Sequence, residues 1–499
     1  MVAATALAVV GWLLTRGKPG ESRETGAKVA RAYCQSCHLF PEPALLDKAS
    51  WTNGALPEMA KWLGLTPPDL ERLPNGQILP DSNVFPPTPL IGSEDWKSII
   101  QYYAANAPDK LPESQRPQIQ PDTTRFRVRP FPYRRAIPMT LMVHIDAAQR
   151  RLYIGDAMTH TLEAWDANGT RAFGVQFDSG PVSILRDGES LDVTLVGRAF
   201  PSDLLKGKVV RLRPGSDDMQ MGKVLGDLRR PVHTTRADLN GDGRADYIVS
   251  QFGHRKGRLS WFETDATGAF VEHILLDRPG TIRTEVRDMN NDGRPDIVAL
   301  TGQAWEALYL FTNEGGAFRQ SSLIEEHPLF GYSYFEMADF DKDGDLDLLT
   351  ANGDNGESAA PPKPYHGLRI YLNDRGKFTE RSFFPLHGAY GARARDFDAD
   401  GDLDIAAISY FPDYATSPEE SFIYLENRGN FDFQPSSIPG HAAGRWITMD
   451  AGDLDGDGDD DIVLGSLVLG PPSIPIPPTV RASWTNGAPA VLLLENTTR

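Results

Sequence analysis

A nine-residue acidic loop followed by an apolar run occurs five times in this 499-residue chain, at intervals of 50 to 57 residues. The copies are Asp238–Asp246, Asp288–Asp296, Asp339–Asp347, Asp396–Asp404 and Asp453–Asp461. The runs that follow begin Tyr247-Ile-Val, Ile297-Val-Ala, Leu348-Leu-Thr, Ile405-Ala-Ala and Ile462-Val-Leu. A period of that length marks an array or a propeller. One such unit cannot bury its apolar face alone, so neighbouring copies must stack.

Oxygen ligands stand at positions one, three, five and nine of every copy. They are Asp238, Asn240, Asp242 and Asp246; Asp288, Asn290, Asp292 and Asp296; Asp339, Asp341, Asp343 and Asp347; Asp396, Asp398, Asp400 and Asp404; and Asp453, Asp455, Asp457 and Asp461. Position seven (Arg244, Arg294, Asp345, Asp402, Asp459) would offer a backbone carbonyl. Position six is always glycine, as a sharp turn around an ion requires. Alternating hard oxygens suit Ca²⁺, which takes six to eight of them. The loops are not EF-hands, because position twelve of the first copy is Val249, inside an apolar run that reads as a buried strand. The alternative is a set of aspartate-rich surface turns without metal. Four of the positions supply 18 carboxylates, which would repel one another without a cation. The net charge of −18 is therefore largely a calcium-site charge, and up to five Ca²⁺ ions are expected.

A second motif recurs between the loops: an apolar strand, a turn rich in Gly, Asn or Asp, then a strand led by phenylalanine. It is seen at 258–270, 308–318, 370–378 and 423–431. Such turns between β-rich runs mark hairpins. Each repeat thus reads as a four-stranded antiparallel blade. Segments 145–154 and 185–196 are worn copies that keep the strands without the full ligand set, which makes seven blades. These repeats resemble the FG-GAP/VCBS family, whose blades form integrin-like β-propellers. The resemblance implies an all-β seven-bladed propeller over residues 124–499. The last blade ends at Val491–Thr498 without its phenylalanine-led strand, and Thr124–Phe131 looks like the missing piece. Pairing of the two would hide both edges. The connections at 351–366, 410–420 and 466–487 are long, lie on the rim opposite the acidic loops and are candidates for partner binding.

The N-terminal region carries a different signal. Cys34-Gln-Ser-Cys37-His38 spells the attachment motif of c-type haem. Two cysteines three apart can each form a thioether to one edge of a porphyrin, and the next histidine can reach the iron. A thioredoxin-like site would need a βαβ context, and a structural zinc site would need further ligands. Cys34 and Cys37 are the only cysteines of the chain. One covalent haem c is the expectation.

Residues 24–110 read as a small all-α unit. Residues 26–34 form a helix entering the motif, and 94–105 form a closing helix with Trp96, Ile99, Ile100 and Tyr103 on one face and Ser93 as its cap. This resembles a class I cytochrome c domain, which implies His38 as proximal ligand. Met59 is the one methionine between His38 and Ala107, and so the candidate sixth ligand, since methionine commonly fills that place. The alternatives are a core role for Met59, an open iron, or a ligand from the propeller such as Met139, His144 or Met158. Residues 111–123, rich in proline, read as a linker.

Covalent haem is attached outside the cytoplasm, so an exported, periplasmic location is expected. Residues 1–20 hold the apolar run Val2–Leu14, followed by Arg16 and Lys18, and read as a signal peptide or a membrane anchor. The acidic balance excludes nucleic acid as a partner. Three functional readings remain. The first is an electron carrier whose propeller docks a redox partner protein or joins a membrane complex. The second is a lectin- or adhesin-like surface module that binds carbohydrate. The third is a propeller dehydrogenase that passes electrons to the haem, with channel candidates His233, Arg283, Tyr332, Tyr390 and Arg445 that form no recognisable acid–base set.

Overall fold

The computed structural model describes residues 19–67, 84–120, 124–215, 219–356, 360–470 and 473–498. The apolar run Val2–Leu14 lies outside them, as do Pro121, Pro471 and Pro472 of the proline-rich segments. Among the described residues no helix is long and apolar enough to cross a membrane. The chain divides into two compact units, one reaching to residue 69 and including 85–110, the other running from 111 onward.

The second unit is a ring of seven four-stranded antiparallel sheets. The innermost strands are Thr140–Asp146, Pro181–Asp187, Pro231–Ala237, Thr281–Arg287, Tyr332–Ala338, Ala389–Arg395 and Trp446–Gly452, each touching the next around the ring. In the five blades with acidic loops, the second strand starts at the ninth loop residue. Asp246–Gln251, Asp296–Thr301, Asp347–Asn352, Asp404–Ser409 and Asp461–Ser466 are buried at every position. That double-sided burial explains their continuous apolar runs. Small residues on the inner strands let neighbouring blades converge: Ala392 and Ala394 of blade six pack against Leu349, Ala351 and Ile370 of blade five.

The two worn copies are full blades. Residues 145–154 lie in the hairpin of Thr140–Asp146 with Arg151–Asp156, and 185–196 in that of Pro181–Asp187 with Ser190–Leu195. The ring closes as the sequence anticipates. Phe126–Arg129 pairs with the last strand, Phe126 opposite Asn496 and Arg129 opposite Leu493. Phe126 seals the joint, its ring 5.5 Å from Phe397 and 5.3 Å from Tyr424.

Three expectations need correction. The outer strand of blade six begins at Phe433, not Phe431, because Asn430 and Phe431 both take left-handed backbone angles (φ 55° and 65°) in the turn. Residues 111–120 are not a free tether. Gln120 bridges to Ser436, and Arg116 Nη1 reaches Glu420 Oε1 at 2.8 Å, so this stretch is strapped to blade six. Ser93 does not cap its helix; Gly92 holds the cap position in extended conformation, with no side-chain bond.

The first unit is helical, with Pro19–Cys34, Leu56–Trp62 and Ser93–Asn106 as its longest helices. The first and last cross at Gly26. A Cβ there would come to 3.1 Å from Ser98 O and from Tyr102 Cβ, closer than side chains ordinarily pack, so glycine eases the close crossing.

Candidate functional site

Cys34 is the last residue of the first helix, and the turn after it carries Cys37 and His38. Both cysteines are free thiols. Burial pushes the Cys34 thiol up to about 11, so it is protonated in the folded chain. His38 Nδ1 faces Leu39 O at 2.9 Å, and burial lowers its pKa, which keeps the imidazole neutral. A neutral ring with Nδ1 tied to a carbonyl presents Nε2 as the free donor, the form a metal requires.

The segment after His38 is pinned to the helices. Tyr103 OH donates to Pro41 O at 2.8 Å, and Trp51 Nε1 donates to Pro43 O at 2.9 Å. The Trp51 and Tyr103 rings lie 4.2 Å apart. Three large apolar side chains of this unit, Leu39, Trp62 and Leu90, remain exposed. Two thiols and a neutral imidazole are the groups that would hold a covalently bound haem. Met59 is half-buried on helix Leu56–Trp62.

The five acidic loops share one rim of the propeller and one internal scaffold. Position one accepts the N–H of the position-six glycine in four of them: Gly243 and Gly293 at 2.8 Å, Gly344 and Gly401 at 3.1 Å. Each of these glycines has positive φ. The position-nine aspartates are almost wholly buried, and their Oδ1 atoms accept a backbone N–H from the end of the third strand. The donors are Thr264, Asn313, Asn373, Asn427 and Asn496, at 2.7 to 2.9 Å. This carboxylate therefore latches the loop to its own blade. Burial, and then the neighbouring aspartates, raise the pKa of several of these groups, Asp404 and Asp461 to about 7.

The four asparagines complete the latch, their Nδ2 atoms donating to loop carbonyls such as Leu239 O, Leu346 O, Leu403 O and Phe397 O. Sequence reasoning missed them. Their signal was the asparagine recurring at the end of the third strand in four of the five blades with acidic loops.

The loops are not equivalent. Asp339, Asp341 and Asp347 bring one oxygen each to within 4.8 Å of one another, as do Asp396, Asp398 and Asp400, and Asp453, Asp455 and Asp457. Among the described residues the first two loops form no such acidic trio. There position three is asparagine, and the Arg244 and Arg294 guanidinium groups pair with Asp242 and Asp292. The residues of loops three to five fit a hard divalent cation; loops one and two carry a positive charge of their own.

The inner strands line a polar channel. Each has a register shift near its start, which places one extra residue at the end away from the acidic loops. Asp450 Oδ1 accepts from Arg393 Nε at 3.0 Å, and its Oδ2 meets His144 Nδ1 at 3.0 Å and Ile145 N at 2.9 Å. The Arg393 guanidinium, with hydrogen bonds from His144 and the Ile145 N–H, holds this carboxyl well below the usual range despite its burial. The Tyr334 ring lies between the guanidinium groups of Arg283 and Arg393, at 5.0 and 4.8 Å. Burial, with Arg283 and Arg393 nearby, lowers His233 to about 3. Tyr332 is buried against Phe330, and Arg445 is buried over the Tyr410 ring at 3.9 Å.

A family model described as an FG-GAP-like repeat matches residues 238–299, 288–350 and 396–464, each match starting on an acidic loop. The chain carries FG-GAP repeats within a seven-bladed propeller. No curated protein matches it. Solved structures of similar shape include BBS1N in complex with ARL6DN, at 10% identity over 72% of this chain and 93% of that one, TM-score 0.43. The Dos1 propeller matches at 9% identity over 72% and 78%, TM-score 0.44. A luciferin-regenerating enzyme matches at 11% identity over 55% and 84%, TM-score 0.35.

Proposed function

We propose that this chain is an exported electron carrier, with one haem c bound through Cys34 and Cys37 and with His38 as its proximal ligand. The propeller, stiffened by calcium in its acidic loops, is the platform that docks a redox partner protein. The observation that carries this reading is the set at the end of the first helix: two free thiols three residues apart and a neutral imidazole whose Nδ1 faces a carbonyl. A haem there supplies reversible one-electron chemistry. The protein's part is to hold and shield it. Tyr103 and Trp51 fix the segment after His38, the Gly26 crossing joins the first and last helices, and Met59 is the proposed sixth ligand.

The test is the optical spectrum of reduced protein, matured in a host that attaches haem c, with and without carbon monoxide. The expected result is a covalent haem insensitive to carbon monoxide, with a methionine signature lost in Met59→Ala. Absence of covalent haem when Cys34 and Cys37 are intact would overturn the proposal. Ready binding of carbon monoxide would remove Met59 as ligand and bring catalysis forward.

A further inference from the structure

We propose that the rim opposite the acidic loops, over blades seven, one, two and three, docks on an anionic lipid membrane. Met158 (47% exposed), Phe200 (49%) and Leu469 (41%) sit in the connections between the second and third strands of blades one, two and seven. Ile137 (44%) leads into blade one, and Leu205 (48%) starts the third strand of blade two. Ile137 and Leu469 are neighbours, because Met139 and Leu467 form an antiparallel bridge and Val468 N donates to Pro138 O at 3.2 Å. Five large apolar side chains thus stand in water on one side of the ring.

The loops that carry them are held rigidly. The Arg230 guanidinium donates to Ala199 O at 3.1 Å and to Gly253 O at 3.2 Å, joining the loop of Phe200 to the next one. Asp203 Oδ1 accepts three consecutive backbone N–H groups, from His254, Arg255 and Lys256, at 3.0, 3.0 and 2.9 Å. Asp203 is thereby tied to backbone, and the exposed Asp178 and Asp277 of the same rim stand beside Lys208 and Arg258. Arg134 and Lys206 are exposed, and Arg198, Arg255 and Lys256 are partly so. On a chain of net charge −18, whose acidic loops occupy the other rim, this is a cationic and apolar face.

Charge complementarity selects an anionic partner, and the apolar residues select a lipid one. They are single side chains spread over blades seven, one and two rather than the walls of a groove. A lipid interface accepts each tip independently, where a protein partner would need a matching pocket for each. Each basic residue near such a surface raises partition about fivefold. The proposal does not depend on the haem.

The test uses the full chain carrying Phe200→Trp, compared with the unsubstituted chain, on vesicles with brominated acyl chains. The reading comes from position 200 and is separate from any contribution of residues 2–14. On vesicles containing phosphatidylglycerol the added tryptophan should be quenched. It should escape quenching on pure phosphatidylcholine, and in the same chain with Arg255→Glu and Lys256→Glu. No quenching on anionic vesicles would overturn the proposal. Binding to polyglutamate with position 200 still unquenched on vesicles would assign the face to an acidic protein instead.

Discussion

Asp461 Oδ1 accepts the backbone N–H of Asn496 at 2.9 Å, tying the last acidic loop to the strand on which Phe126–Arg129 closes the ring. Asn496 returns the bond through Nδ2 to Phe397 O at 2.9 Å and Asp460 O at 3.2 Å. Both residues are buried. Asn496→Ala strips two donors from buried carbonyls, at a cost of about 1–3 kcal/mol. Urea unfolding should show a lowered midpoint with an unchanged slope. An unmoved midpoint would mean that the latch contributes nothing to stability.

The closing strand is the second point of fragility. Phe126 is buried between Phe397 and Tyr424, so Phe126→Ala leaves a cavity worth about 3–5 kcal/mol. Weakening this strand frees the edge of Val491–Asn496. Lower thermal stability should come with concentration-dependent association on a sizing column. Lower stability in a strictly monomeric variant would show that the edge stays covered by other means.

Calcium should divide the five loops. Three loops converge three carboxylates each, while the other two hold an arginine against their own aspartates. Calorimetric titration is expected to count three tight sites. Chelation should lower the melting temperature, since the converged carboxylates then repel. A count of five would show that Arg244 and Arg294 swing away when the ion arrives.

Asp450 makes stability depend on pH with a definite sign. Its folded pKa lies well below the unfolded value, so its contribution is complete above about pH 4 and declines as pH falls through the folded value. Asp450→Asn leaves the buried Arg393 without its counter-charge and should cost about 3 kcal/mol at pH 7. The gap from the unsubstituted chain should narrow below pH 4. A gap independent of pH would assign the loss to packing instead of charge.

The repeat, the blade count and the closure by Thr124–Phe131 were legible because each is a local pattern. An apolar run after each acidic loop, a turn between β-rich stretches and a missing final strand can all be read along the chain. The role of position nine was not legible. Asp246 and its counterparts have the spacing of ligands, and Asp347 does join a carboxylate trio, but their Oδ1 atoms also accept backbone N–H groups 17 to 35 residues away, a partnership that exists only once strands two and three lie side by side. Likewise the pairing of the Arg244 guanidinium with Asp242 is not legible from the spacing, which speaks only for the backbone carbonyl at that position.

The sequence by itself determined a five-fold acidic repeat, seven blades and a cysteine–histidine motif suited to haem, because periodicity and ligand spacing are properties of the chain in one dimension. Only the tertiary structure decided which loops gather three carboxylates, which inner-strand residues meet across the channel, and that residues 111–120 strap onto blade six. It also decided that Met158, Phe200 and Leu469, 42 and 269 residues apart in order along the chain, stand on one rim. The physical reason is the ring itself. Closing seven sheets around an axis brings corresponding loops of different blades to the same face, where their charges and apolar tips act together.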